Sequence, residues 1–249
     1  MRSLLLLVFI PLMSYSGSLE TCYRVFVLFL PVAESCVAYK QEGEKLTISS
    51  WVKTIVIGKI VHRVHNWGKS ELEGFKPVYF ELFQREGEYE RDHYYHFNRK
   101  GVDYSIILFN DDEEREEIKR GFYESSVFLY DPFSASLALY LDTPNTRGGY
   151  IQLFYDEKIQ NISYRTTGEE VIKVNGIEYS TWKVVLIPEI ETKGTLKPRG
   201  KWLIWIDRVS LIPVRFEIKF NIGSAKVYLT SVRGDRKLLR TLKVLKRKM

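Results

Sequence analysis

The feature that most limits how this chain can fold is a succession of short segments, running from Glu44 to Ser231, in which apolar and polar residues alternate. Val214, Phe216, Ile218 and Phe220 are interleaved with Arg215, Glu217 and Lys219. Successive side chains of a strand point to opposite faces, so one face of this segment meets a core and the other meets water. Candidate strands run over Lys45 to Trp51, Ile55 to His65, Val78 to Arg85, Arg91 to Phe97, Tyr104 to Phe109, Tyr150 to Tyr155, Ile162 to Thr166, Glu169 to Val174, Ser180 to Ile187, Trp202 to Asp207, Val214 to Phe220 and Ala225 to Ser231. Each is rich in Val, Ile, Tyr, Phe or Trp and is bounded by Gly, Asn, Asp or Pro. With no βαβ alternation the sheet is expected to be antiparallel. Sheets of about 10–12 strands curl to remove their edges, so the expected fold is mainly β: a single antiparallel, strongly curved sheet or open β-barrel.

One short helix interrupts the strands near 132–141. Asp131 caps its start, Pro132 suits the first turn, and Pro144 follows its end. The acidic run Asp111 to Glu117, continued by Ile118, Lys119 and Arg120, reads as a short exposed helix or a solvated loop. Residues 39–234 are expected to form one β-rich domain, large enough to bury a core without a metal or a disulfide. Trp202 to Ile206 is apolar on both faces, which predicts a second layer or a bound apolar molecule over its outer side.

The N-terminal residues 1–38 carry two leader-like units. Arg2 precedes LLLLVFIPLM and the small, polar stretch SYSGS; Arg24 then precedes VFVLFLPVA, with Cys36, Val37 and Ala38 placed like a cleavage site. Cleavage after Ala38 is the preferred expectation, and the doubling suggests a translation start downstream of Met1, at Met13 or a non-Met codon. The alternative makes the first run the signal and Tyr23 to Val32 a buried first strand. Both runs fall short of a membrane span and contain proline. Charged residues before Cys22 and Cys36 argue against lipidation. These are the only cysteines, so a chain cut after Ala38 would carry no thiol.

The net charge is +6, and residues 235–249 account for all of it: Arg236, Lys237, Arg240, Lys243, Lys246, Arg247 and Lys248 stand against Asp235 alone. A generally basic nucleic-acid-binding surface is therefore not expected. Leu238, Leu239, Leu242 and Leu245 recur at helical spacing between these cations, a pattern that predicts a basic amphipathic helix at an anionic membrane surface.

The segment KWLIWIDRVSLIPVRFEIKFNIGSAKVYLTSV, from Lys201 to Val232, resembles the exported bacterial family catalogued as domain of unknown function 3108. The piece LTISSWVKTIVIG from Leu46 to Gly58, the helix start Tyr130 to Ser134, and the Asn175-Gly176 turn before Tyr179 to Val185 extend the resemblance over residues 44–232. It implies an envelope location and a curved β-fold similar to periplasmic lipid or lipoprotein carriers, and no known reaction.

Chemistry-bearing motifs are sparse. His62 with His65 and His93 with His96 are spaced by three, which splits each pair across a strand's two faces. A metal site would need one histidine from each pair to meet across strands with Asp92 or Glu81. No nucleophile elbow, phosphate loop or dinucleotide fingerprint is present, so no catalytic residue or cofactor is expected. Trp202, Trp205, Phe216 and Phe220 are the candidate wall of an apolar cavity. The expected function is that of a non-enzymatic periplasmic or envelope protein that binds a lipid, apolar ligand or lipoprotein segment. The alternative is an envelope interaction or scaffold module with a filled core, exposed aromatics and no small ligand.

Overall fold

The computed structural model describes residues 15–55, 63–109, 115–191, 197, 199–220 and 223–248. The strands are β1 (Ser16–Val27), β2 (Leu30–Glu42), β3 (Lys45–Thr54), β4 (His65–Glu73), β5 (Lys76–Glu86), β6 (Tyr89–Asn98), β7 (Gly101–Phe109), β8 (Arg115–Glu124), β9 (Gly149–Tyr155), β10 (Lys158–Val174), β11 (Ile177–Glu189), β12 (Trp202–Asp207), β13 (Pro213–Phe220) and β14 (Gly223–Gly234). Among the described residues two helices complete it, α1 (Pro132–Asp142) between β8 and β9, and α2 (Leu238–Lys248) after β14. All 14 strands join one antiparallel sheet in the order β8-β7-β6-β5-β4-β3-β2-β1-β14-β13-β12-β11-β10-β9. The mainly β, strongly curved expectation holds; the sheet is not closed, and β8 and β9 are its edges.

The sheet rolls until its two ends meet. Phe154 of β9 lies 5.1 Å from Tyr95, 5.7 Å from Tyr104 and 5.3 Å from Tyr123, centroid to centroid, so β9 packs on the inner face of β6, β7 and β8. Tyr130, just before α1, pairs with β9: its N–H donates to the Gln152 carbonyl and its carbonyl accepts from Phe154 N–H. That pairing covers part of an edge that would otherwise offer open hydrogen-bonding groups.

The interior of the roll is occupied by α1. Ser134, Ala135 and the unbroken run Leu137 to Leu141 are buried, while Ser136 and Asp142 keep one side of the helix open to solvent. Asp131 accepts from the backbone N–H groups of Phe133 and Ser134, and Ser134 Oγ accepts from Asp131 N–H, forming a reciprocal capping box. Phe133 meets Phe80 of β5 edge-on at 5.4 Å. The helix expected over Pro132 to Leu141 extends one residue further.

Four sequence expectations are corrected. Residues 16–42, read mainly as leader, form β1 and β2 at the centre of the sheet, and Cys22 and Cys36 are bonded to each other as a register pair. Cleavage after Ala38 would remove β1 and most of β2, the described strands through which β3–β8 continue into β9–β14. Leu19, Tyr23, Ala33 and Tyr39 are core residues, which is why this segment is so apolar. The first apolar run lies outside the described residues.

The acidic run was expected to be helix or loop, yet Arg115–Glu124 is β8, held in register by β7. Residues 111–114 lie outside the described residues. Ile162 to Thr166 and Glu169 to Val174, expected as two strands, form a single strand β10 of 17 residues whose pairing with β11 shifts between Thr166 and Gly168. A bulge keeps a strand continuous while changing its direction and the face its residues present.

The tail is a helix but not a free arm. Leu238, Leu239 and Leu242 are all 0% exposed and belong to the same core as α1. The apolar stripe that a membrane surface would have taken up is already filled by the protein.

Candidate functional site

The predicted cavity residues do not share one cavity. Ile204 pairs with Phe216 and Trp205 with Arg215 in register, so strand alternation places Trp202, Phe216 and Phe220 on the inner side and Trp205 on the outer. Phe216 packs edge-on against Tyr23 at 5.6 Å, and Trp202 lies 6.2 Å from Phe220. Trp205 is instead clamped outside: its Nε1–H donates to Glu170 Oε2 at 2.8 Å, and the Arg215 guanidinium lies 4.4 Å from its ring centre. What covers Trp205 is not a second layer but side chains of its own sheet, Lys183 on the adjacent β11 and Glu170 on β10 beyond it. The Trp205 and Lys183 contacts hold the Glu170 carboxyl below its ordinary range.

The histidines are equally dispersed. His62 lies outside the described residues. His65 and His96 sit on the outer face beside Trp67 and Tyr79, at 4.8 and 4.9 Å, and partial burial together with Lys53, Arg63 and Arg85 lowers the His65 pKa. His93 is fully buried on the inner face. Among the described residues no three His, Cys, Asp or Glu side chains gather as a metal site.

His93 is instead the middle of a buried polar chain. Tyr95 Oη accepts from Asp156 N–H at 3.3 Å and donates to His93 Nδ1 at 3.0 Å. The ring proton therefore sits on Nε2, which donates to Gln84 Oε1 at 2.8 Å; the same oxygen accepts from Tyr155 Oη at 2.9 Å. Gln84 Nε2 and Asn66 Nδ2 both donate to Glu86 Oε1, at 3.4 and 2.8 Å. The chain ties β4, β5 and β6 to the β9–β10 turn, and both imidazole nitrogens are used by it. A buried chain in which each donor finds an acceptor fixes one arrangement of the roll, and half of it would be worse than none.

The exposed surface holds an arrangement that strand patterning alone did not single out. Cys22, Cys36, Trp51, Trp67 and Phe83 stand opposite one another in register across β1, β2, β3, β4 and β5, on the outer face. Trp67 stacks on Phe83 at 5.1 Å and 14°, which is the strand spacing itself. Phe83 meets Tyr94 at 5.9 Å, and the Arg85 guanidinium lies 5.6 Å from Trp67. Trp51 and Trp67 remain exposed. A readable signal did exist: Trp51 has the parity of Ser49 and Lys53, the polar face of a strand whose core face carries Leu46 and Ile48.

Two surface clefts accompany this row. One, of about 340 Å³, lies beside Lys76, Phe97, Arg99, Val127 and Phe128; the other, of about 630 Å³, lies between Arg24, Phe26, Lys173, Asn175 and Tyr228. Neither includes the predicted cavity residues.

The basic residues of the tail are divided by the packing of α2. Arg236, Lys237, Arg240 and Arg247 are exposed. Lys243 turns inward and donates to the Thr143 carbonyl at the end of α1. Burial lowers the pKa of both Lys243 and Lys246. Lys248 is the last residue of the helix.

No curated protein matches the chain in sequence. In fold it is similar to a solved structure from Brucella abortus, described as a beta-barrel-like protein of domain of unknown function DUF1849. The TM-score is 0.55 at 7% identity, over 88% of this chain and 97% of that one. A family model described as protein of unknown function (DUF3108) matches residues 22–230, from the first bridged cysteine to the last sheet strand, and the chain belongs to that family.

Proposed function

We propose that the protein is a non-enzymatic interaction module of the bacterial envelope, which presents the outer row Trp51, Trp67 and Phe83 to a protein partner. The observation that carries the reading is the exposure of Trp51 and Trp67, backed by the half-buried Phe83, on a roll whose inner side α1 occupies. A carrier needs an apolar space for its cargo, whereas here the space inside the sheet is taken by the chain's own leucines. Exposed tryptophans backed by a rigid sheet are the residue type and setting from which interface hot spots are built. The Cys22–Cys36 bridge, which ties the strands next to the row, supports an oxidising, exported location. The leader-like composition of the first residues supports the same location.

The test has two arms. Native mass spectrometry of the purified chain should find no lipid retained at one-to-one stoichiometry; a stoichiometric lipid would return the carrier reading. A photo-crosslinking residue at position 51 or 67 should give a discrete adduct in the envelope of the producing cell. The same residue at exposed Val171 should not, and equal labelling from all three positions would sink the interaction face.

A further inference from the structure

The β1–β2 turn departs from the pattern of two other turns. The turns β2–β3 and β5–β6 are both Gly-Glu, with Gly43 and Gly87 at φ of +62° and +65°. In the β1–β2 turn the same place is held by Leu28 at φ +57°, a conformation that a side chain with a Cβ disfavours. Its neighbour is Phe29. Leu28 is 80% and Phe29 93% exposed, and Val27 and Leu30 beside them are exposed as well. Among the described residues nothing covers these side chains, and folding alone would be served better by glycine and a polar residue.

We infer that the tip of this hairpin, Val27 to Leu30, docks the protein on a phospholipid bilayer by entering its interfacial zone. No side chain from Phe26 to Val32 carries a charge or a hydrogen-bonding group. Val27 and Leu30 close the hairpin as a register pair, so the strands leading to the tip bring their backbone groups already paired, as an apolar medium requires. Behind the tip the surface turns cationic. Lys226 stands opposite Phe26, Lys53 opposite Glu34, and Lys219 two strands away near the neighbouring turn; all three are exposed. The nearby acids are engaged, Glu34 by Arg24 at 2.6 Å and Glu217 by Arg215. From the tip to the level of Lys226 is two to three residues, on the order of 7–10 Å. That is the depth separating buried apolar groups from lipid phosphates. An apolar end followed by Lys226 at this depth, with Lys53 two rows further back at the level of Arg24 and Glu34, matches an anionic bilayer; a protein groove or a second copy would have no use for the cationic collar. The tip itself lies apart from the outer aromatic row, although Lys53 is two positions from Trp51 on β3, and the F29W signal reports the tip and not the row.

The experiment uses the full chain with Phe29→Trp and vesicles of phosphatidylethanolamine and phosphatidylglycerol. The fluorescence added by F29W over the parent should shift to shorter wavelength and be quenched by brominated acyl chains. This signal reports the tip alone, so vesicle binding by the apolar residues 3–12 does not enter it. Adding K53E and K226E to F29W should raise the lipid concentration at half-saturation by about fivefold or more on anionic vesicles, and leave it unchanged on neutral phosphatidylcholine. L28G/F29S, built on the chain's own turns, should melt at or above the parent temperature. Absence of bromine quenching would overturn the proposal. So would a dimer in the parent that L28G/F29S converts to monomer, which would assign the tip to a second copy, or a lower melting temperature for L28G/F29S, which would make Leu28 and Phe29 structural.

Discussion

Ser70 in the middle of β4 donates a 2.6 Å hydrogen bond to Asp131 Oδ2, across 61 positions of sequence. Asp131 is the cap of α1, so this bond fastens the start of the interior helix to the wall that surrounds it. The other end is fastened by Lys243 of α2, which donates to the Thr143 carbonyl. A carboxylate at the N-terminus and an ammonium at the C-terminus are the charges a helix dipole favours. Here both come at the cost of burial.

Replacing Asp131 separates these effects. D131A removes the cap, worth about 1 kcal/mol, and leaves two buried hydroxyls short of an acceptor, about 1–3 kcal/mol more. D131N keeps a capping oxygen and should lose much less. Burial raises the Asp131 carboxyl above its ordinary value of 3.8, outweighing the hydroxyl and amide donors that lower it. An acid with a raised folded pKa keeps its proton longer when folded, so its contribution to stability falls as pH rises from the unfolded value through the folded one. The stability of the parent relative to D131N should therefore decline across that window and then level off. Chemical denaturation of the two proteins from pH 3 upward checks it, and a difference that stays flat or rises would refute the assignment.

The tail should matter through its leucines and not its exposed cations. L242A removes a fully buried side chain from the contact of α2 with α1 and β1 and should cost about 2–5 kcal/mol. R236E/K237E alters exposed groups and should stay within about 0.5 kcal/mol. Lys243 adds a pH signature. Burial, with help from Arg247 and Arg240, lowers its pKa from 10.5. A base with a lowered folded pKa destabilises while charged, so stability should rise relative to K243M as pH climbs through the folded value toward 10.5. Denaturation midpoints showing R236E/K237E as damaging as L242A would contradict the packing of α2.

What could be read in the sequence follows from which forces act locally. The helix at α1 was legible because Asp131, Pro132 and the capping geometry are all local. Strand β4, HNWGKSELE, was missed for most of its length because its inner positions are the small Gly68 and Ser70, kept small by the approach of β5 and by the bond to Asp131. A β-carbon at position 68 would lie 2.2 Å from the Glu81 carbonyl oxygen. Strand β8 was hidden by charge, since its acidic residues resemble a solvated helix until β7 supplies register. Strand β1 and strand β2 were mistaken for a leader because an apolar strand buried beside the core and a signal core have the same composition. The tail was read correctly as an amphipathic helix, but hydrophobic spacing does not say what it packs against. The outer aromatic row was not legible as a unit, because it arises only when β3, β4 and β5 are aligned in register.

The polar chain around His93 should behave as one unit. Gln84→Met leaves Tyr155 Oη and His93 Nε2 without their shared acceptor and should cost about 2–4 kcal/mol. H93F and Y95F should be strongly non-additive, with a coupling of at least about 0.5 kcal/mol. Nitrogen-15 spectra of the histidines should place the His93 proton on Nε2. A proton on Nδ1 would reverse the order of donors along the chain and remove the basis for the coupling.

The place of the β1–β2 hairpin can be settled by chemistry at the two cysteines. Because the two halves of the sheet are hydrogen-bonded to each other through β1 and β2, a mature chain without them could not keep this continuous sheet. N-terminal sequencing of the chain purified from its producing cell should therefore find a start upstream of Leu19, and non-reducing peptide mapping should recover Cys22 joined to Cys36. The bridge spans 14 positions, for which loop closure predicts about 3 kcal/mol. C22S/C36S should lose somewhat less, about 2 kcal/mol, since the register pairing of the hairpin already restricts the unfolded chain. The double variant should still fold, because the core residues of β1 and β2 are untouched. A mature N-terminus at Tyr39 in a chain that retains the native β spectrum would instead mean that the halves can join without this hairpin.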